Sequence, residues 1–318
     1  MTAIPPHIGV TGASGMIGSC LIHAILEQNP HAAVRCMVRH APLQPHPSQI
    51  RYFEADLLSE ADCREFVKGL DVIVHLAQSN SPAASDRHWP SDCAANLQTT
   101  LNLLDAIRSS GRKCHLVFAS SGGAIYGHHP DVDFYHENLD CKPLSPYGIQ
   151  KLAAEHYLRL GVAQEWLSVC ALRISNAYGA LLPPERKQGL IGVAVARHRA
   201  CQPVDIFGNA ATVRDYVHIQ DIASAFIAAM GFPEIGFSSV NISSGIGHSV
   251  AEILAVISEV SGKQVEVQEC EFGSQQFALT PRMILSNEKA RTCLGWQPHV
   301  QLHEGIQRLW SASKQAQI

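Results

Sequence analysis

The sequence predicts an α/β fold: a doubly wound parallel sheet with a smaller C-terminal lobe. Apolar strand segments alternate with helical stretches from the start of the chain to Ile174. The first strand candidate runs into a glycine-spaced turn that opens a helix. After Asn176 the alternation breaks, which predicts the lobe.

The elements follow in order. His7-Ile8-Gly9-Val10 reads as a short buried strand. It leads through Thr11-Gly12-Ala13-Ser14-Gly15-Met16-Ile17-Gly18 into SCLIHAILEQN, where Ile17, Leu21, Ile25 and Leu26 recur at helical spacing. Glycines at 12, 15 and 18 permit a tight strand-to-helix turn and let the backbone approach a pyrophosphate. The N–H groups and dipole at the helix start favour that anion. AVRCMV, IRYFEA, DVIVHLA, KCHLVFAS and SVCALRI read as further strands, most of them separated by helical segments. Such alternation implies a mostly parallel sheet covered on both faces. GALLPPERKQG, rich in proline and charge, reads as an excursion from the sheet.

The run SPYGIQKLAAEHYLRL carries the chemistry. Tyr147 and Lys151 are four residues apart and share one helix face. An ammonium beside a phenol favours the phenolate, which makes the tyrosine a base. Ser120 and Ser121 end the apolar run upstream. A serine hydroxyl aimed at the same point holds a substrate oxygen. We assign that role to Ser121, with Ser120 in reserve. Alone, a Tyr-x-x-x-Lys spacing is equally a solvated helix face. Its order after the glycine turn and the serine pair selects the chemical reading.

These stretches together resemble an extended short-chain dehydrogenase/reductase of the epimerase/dehydratase branch. The resemblance covers nearly the whole chain. It rests on TGASGMIG, the Asp56-Leu57 pair, VIVHLAQ, NLQTTLNLLDAI, FASSGGAIYG, SPYGIQK, RISNAYG, VRDYVHIQDIASAF and LGWQP. It implies a Rossmann-type sheet binding NAD or NADP through Gly12, Ser14, Gly15, Met16, Ile17, Gly18, Arg39, Asp56, Leu57, Leu76, Ala77 and Asn96, together with Tyr147 and Lys151. Catalysis would rest on Ser121, Tyr147 and Lys151. A nucleoside diphosphate sugar would meet Ser121, Asn176, Arg214 and Arg282, the two guanidinium groups holding the diphosphate. An ion pair to Asp215 or Asp221 is the other reading of Arg214. The dinucleotide-binding domain would span residues 1–177, with a return at about 213–262. Residues 178–212 and 263–318 would form the substrate lobe. The implied activity is 4-epimerisation of a UDP-hexose or UDP-N-acetylhexosamine through a transient 4-keto sugar. The alternatives are an NADPH-dependent 4-ketoreductase, then a decarboxylase or a non-catalytic dinucleotide sensor. A 4,6-dehydratase would need an acid/base pair after the catalytic hydroxyl, and Gly122-Gly123 stand there instead. Homodimers are common in this family, so a homodimer is expected.

Cofactor choice is the point on which the residues disagree with the resemblance. An acid usually ends the second strand of an NAD site and binds the ribose. Here Val38 and Arg39 occupy that place, which keeps NADP open.

Composition agrees with a metabolic enzyme. The chain has 318 residues, 46% of them apolar, and a net charge of −4. Its 24 Lys+Arg are scattered, which argues against nucleic acid. No apolar run reaches the ~20 residues that span a bilayer, and no secretory leader is read, so a cytoplasmic location is expected. The 10 cysteines lack any C-x-x-C and read as mostly buried free thiols. The 17 histidines show no metal-ligand spacing, and His128-His129 reads as part of an exposed loop.

Overall fold

The computed structural model describes residues 4–41, 47–78, 88–186, 188–232, 236–270 and 280–315. Its main sheet has seven parallel strands: β1 His7–Thr11, β2 Ala33–Val38, β3 Ile50–Glu54, β4 Val72–His75, β5 Cys114–Ser121, β6 Leu167–Ile174 and, later in the chain, β10 Phe237–Ile242. Their order is β10-β6-β5-β4-β1-β2-β3, so the chain winds outward from β1 to one edge and then from β4 to the other. The first six match the apolar segments read from sequence. The crevice lies above the carboxyl ends of β1 and β4, where the winding reverses.

Both faces are covered, which is why the strands are apolar on both sides. On one face α1 (Met16–Gln28) and α8 (Ile219–Met230) bury Leu21, Ile25 and Phe226 against Ile8, Val10 and Val240. On the other, α2 (Glu60–Phe66), α4 (Thr99–Ser109) and α6 (Pro146–Ala163) bury Phe66, Leu103, Ile107 and Leu158 against Ile73, Leu116 and Phe118. A short helix, α3 (Trp89–Cys93), enters α4 through one turn of π-helix at Ala94–Gln98.

A second, smaller sheet joins β7 (Asn176–Tyr178), β9 (Val213–His218), β11 (Gly247–Ser249) and β13 (Arg282–Met283) around the central β9. A separate core lies beside it. Tyr178, Ile191, Val195, Val204, Tyr216, Ile253, Ile257 and Leu309 pack there. The segment 213–262, expected to return to the dinucleotide-binding domain, is therefore divided. α8 and β10 join the main sheet. α9 (Val250–Ser261) packs with the lobe through Ile253 and Ile257, and β9 serves both, with Tyr216 in the lobe core and Val217 in the main one.

Two smaller expectations change. Of the cysteines, Cys36, Cys63, Cys114 and Cys170 are buried, three of them in sheet strands and Cys63 on the inner face of α2, while Cys93, Cys201 and Cys293 are exposed. His129 is half-buried. Its Nε2 reaches the carbonyls of Tyr126 and Asp140 at 3.1 and 3.0 Å, and its ring meets Tyr135 edge-on, so it anchors the loop instead of standing in solvent.

Candidate active site

The glycine turn forms a backbone cradle. Gly12 has φ +71°, the left-handed region open to glycine. A Cβ there would stand 2.7 Å from the Ala77 nitrogen and 2.8 Å from the Leu76 carbonyl carbon. Gly18, inside α1, faces the Gly12 carbonyl oxygen, with Ala13 Cα 2.8 Å from where its Cβ would be. The third strand–helix approach therefore also requires glycine. Ser14 and Gly15 are exposed, and Gly15 caps α1 without a side-chain bond, so the first N–H groups of the helix face the crevice. Leu76 and Ala77 close the opposite wall, tied to Thr11 by Leu76 N–H to Thr11 O at 3.2 Å and Ala77 N–H to Thr11 Oγ1 at 3.3 Å. A pyrophosphate suits such a turn, because its exposed N–H donors belong to the backbone at a helix start.

Asn96 braces this wall from behind. Its Nδ2 donates to Asp92 Oδ1 at 2.9 Å, and Asp92 Oδ2 accepts from Gln150 Nε2 at 2.6 Å, next to Lys151 in α6. Its carbonyl accepts from Thr100 Oγ1 at 3.0 Å. Thr100 contacts His75 Nε2 at 3.0 Å, and His75 Nδ1 meets Thr11 Oγ1 at 2.7 Å. The chain of bonds thus runs from the π-turn to the cradle. Burial holds the His75 pKa down to about 3, so the ring is a neutral strut.

Asp56 is exposed and caps its own turn, with Oδ1 accepting from Leu58 N–H at 2.9 Å. Leu57 packs on the α2–α4 core while its carbonyl accepts from Asn102 Nδ2 at 2.9 Å. Arg39 is exposed at the end of β2, and Met16 and Ile17 are half-buried at the start of α1.

Helix α6 begins at Ser145, whose side chain accepts from Gly148 N–H at 3.1 Å, with Pro146 in the first helical position. This start puts Tyr147 in the first turn and Lys151 one turn on. Ser121, at the end of β5, acts on the Tyr147 phenol and opposes the effect of its burial. Lys151 Nζ lies 5.8 Å from the centre of the Tyr147 ring and donates to Ala119 O at 2.8 Å. The serine ambiguity resolves on geometry: Ser120 points down and donates to Glu155 Oε1 at 2.6 Å, whereas Ser121 points to the tyrosine.

The expected depression of the tyrosine is not what the protein alone produces. Burial pushes the Tyr147 phenol up to about 12, with Ser121 opposing. Burial also brings Lys151 down to about 8, with Glu155 opposing. Both charged forms lose hydration, and the ammonium is spent on a carbonyl.

On the lobe side, Asn176 Nδ2 donates to the Asp215 carbonyl at 2.9 Å. Arg214 sits on β9, half-buried, with Nη1 on its neighbour's carbonyl at Val213, 2.8 Å away. Among the described residues it pairs with no carboxylate. Asp215 is held instead by Ser175, Ser244 and Gly245, and Asp221 by the N–H groups of His299 and Val300. Strand register sorts the candidates by face. Asn176 pairs with Tyr216, two residues from Arg214, so these three share a face. Arg282 pairs with Val213, which puts it on the opposite face from Arg214, and it is exposed. The register puts Asn176 and Arg214 on one face of the small sheet and Arg282 on the other.

Residues 8–243 match the NAD dependent epimerase/dehydratase family. The chain belongs to that family. It is 31% identical over 306 residues to the UDP-glucose 4-epimerase of Mycolicibacterium smegmatis, covering 93% of this chain and 95% of the relative. It is 27% identical over 308 residues to the dTDP-4-dehydro-6-deoxyglucose reductase of Escherichia coli, covering 94% and 95%. Among solved structures, the Thermus thermophilus UDP-glucose 4-epimerase in complex with NAD superposes with a TM-score of 0.86 at 30% identity, covering 97% of this chain and 99% of that one.

The site residues that sequence reasoning missed lie beneath Tyr147 and Lys151. Glu155 and Arg173 form an ion pair at 2.7 Å, 1% and 3% exposed. Arg173 also donates to Tyr126 OH at 3.1 Å, and Tyr126 donates to Asn241 Oδ1 at 2.6 Å. The one visible signal was that Glu155 follows Lys151 by four residues, on the same helix face. No helix of the described residues is long and apolar enough to cross a membrane, and none of their His, Cys, Asp and Glu side chains cluster as a metal site.

Proposed function

We propose that this chain is an NAD-dependent UDP-sugar 4-epimerase, acting on a UDP-hexose or UDP-N-acetylhexosamine through a transient 4-keto sugar. The observation that carries the reading is Ser121 acting on the Tyr147 phenol with Lys151 one turn on, in a chain whose strand-to-helix turn has no room for a Cβ at Gly12 or Gly18. Gly12, Gly15, Gly18 and the start of α1 would hold the pyrophosphate of NAD, with Asp56 and Leu57 near the adenine. Bound there, NAD supplies the hydride acceptor and donor at the sugar C4.

The protein's part is proton transfer, positioning and retention. Tyr147 takes the proton of the 4-hydroxyl, and Ser121 holds the same oxygen. A phenol raised to about 12 is a strong base once ionised but a poor one at neutral pH. It needs added positive charge in its site, which a bound oxidised dinucleotide would supply along with Lys151. Arg214 and Asn176 would hold the diphosphate. Binding strength concentrated on the nucleotide lets the keto sugar turn over and present its other face without escaping.

Dehydration is disfavoured by the residues after Ser121. Gly122-Gly123 supply no acid, and a Cβ at Gly122 would need the Leu285 side chain to shift and would stand 3.0 Å from the Arg173 carbonyl oxygen. The second reading, 4-ketoreduction, draws on the exposed Arg39 and the similarity to the Escherichia coli reductase. NMR of UDP-glucose or UDP-N-acetylglucosamine incubated with the protein separates the two. Formation of the galacto epimer without added reductant supports the epimerase. Consumption of NADPH with a 4-keto sugar, and no epimer from the saturated sugars, assigns the reductase.

A further inference from the structure

We infer that Glu54 sets the preference of the dinucleotide site for NAD over NADP. This rests on the dinucleotide-dependent reading above. Strand β2 ends on Val38, a buried apolar side chain, followed by exposed Arg39 and His40. Within that strand the chain has no acid to accept a bond from the adenosine ribose. The sheet supplies one from its neighbour. Glu54, the last residue of β3, is in register with Val38. Its Oε1 accepts from the Ala41 N–H at 2.6 Å, so the carboxylate reaches across the end of β2 onto the segment beyond it.

The other charged groups at this corner do different work. Asp56 Oδ1 accepts from Leu58 N–H at 2.9 Å, and Asp62 Oδ2 accepts from Asp56 N–H at 3.0 Å, so each stabilises the turn after β3. Arg39 forms no ion pair among the described residues. Glu54 is thus the carboxylate that bonds the segment after β2, where Arg39 and His40 also lie. A carboxylate over the end of β2 accepts from a ribose hydroxyl and repels a 2′-phosphate, while Arg39 pulls the other way. Glu54 thus stands in for the acid that β2 lacks, and its identity is hidden in sequence because it belongs to the next strand.

The test is a titration of NAD and NADP against the wild type, Glu54→Gln and Arg39→Ala, with thermal unfolding as a folding control. The wild type should bind NAD more tightly. Glu54→Gln should narrow the gap between the two dinucleotides by about tenfold, the scale of one screened unit charge at close range, mostly by gaining NADP. Arg39→Ala should widen it. Equal changes for both dinucleotides in a folded Glu54→Gln protein would overturn the role of Glu54 while leaving the enzyme reading intact. Failure of the wild type to bind either dinucleotide would overturn both.

Discussion

Glu155 accepts two bonds from Arg173, at 2.7 and 3.1 Å, one helical turn below Lys151 and fully out of solvent. The pair links helix α6 to strand β6, and Ser120 joins it from β5. The floor of the site is therefore a charged, satisfied network, and its energetics differ from those of a surface bridge. Breaking a buried pair from one side strands a charge, so Arg173→Met should destabilise the protein by about 3–5 kcal/mol. Joint replacement of Glu155 and Arg173 by apolar residues should recover part of that loss. Urea unfolding of the single and double variants measures both, and a single-variant loss below about 1 kcal/mol would place water in the network.

Tyr147→Phe removes the base and leaves the ring. Turnover should fall by roughly 10²–10⁴-fold, while stability changes by about 1 kcal/mol through the lost interaction with Ser121. Steady-state kinetics on a confirmed sugar substrate, with the unfolding curve alongside, test this. Wild-type turnover in the variant would remove Tyr147 from the mechanism.

Lys151 makes a prediction in pH. Its folded pKa, about 8, lies below its ordinary value of 10.5, so the folded protein sheds this proton before the unfolded chain does. The burden of a buried ammonium is fully present below pH 8 and is relieved as pH rises from 8 towards 10.5. Lys151→Met should therefore be inactive yet more stable than the wild type at pH 7, by about 1–3 kcal/mol. The advantage should shrink as pH approaches 10. A stability difference that does not vary with pH would mean the lysine is solvated in the folded state.

The opposite faces of Arg214 and Arg282 predict unequal effects. Arg214→Ala should weaken UDP and UDP-sugar binding alike, by roughly 1.5–3 kcal/mol, the value of charge-assisted bonds. Arg282→Ala should cost less than Arg214→Ala. Calorimetric titration of UDP into each variant decides, and an equal or larger loss from Arg282 would show that register does not sort the substrate contacts.

Gly12→Ala combines a left-handed backbone with a clash against the Ala77 nitrogen. Dinucleotide affinity should drop by at least about tenfold, because the wall at Leu76 and Ala77 must move away from the cradle. Titration with NAD reads the loss directly, and unchanged affinity would argue against the cradle as its site.

Sequence alone determined what is local or periodic. The strands of β1 to β6 were legible because parallel strands buried on both faces must be apolar throughout, and the cradle because only glycine tolerates its turn. Tyr147 and Lys151 were legible because helical geometry brings residues four apart to one face. Tertiary structure decided the rest. Glu155 meets Arg173 across 18 positions, from helix to strand. Arg282 is turned from Arg214 by a single register step, and Glu54 reaches the end of β2 only because β3 lies beside it. The burial of Tyr147 and Lys151 likewise comes from packed neighbours, and it reversed the simple expectation for the phenol. Side-chain spacing along a helix is a property of the backbone itself, whereas partnership between strands and the loss of hydration around a charge depend on which distant segments fold against it.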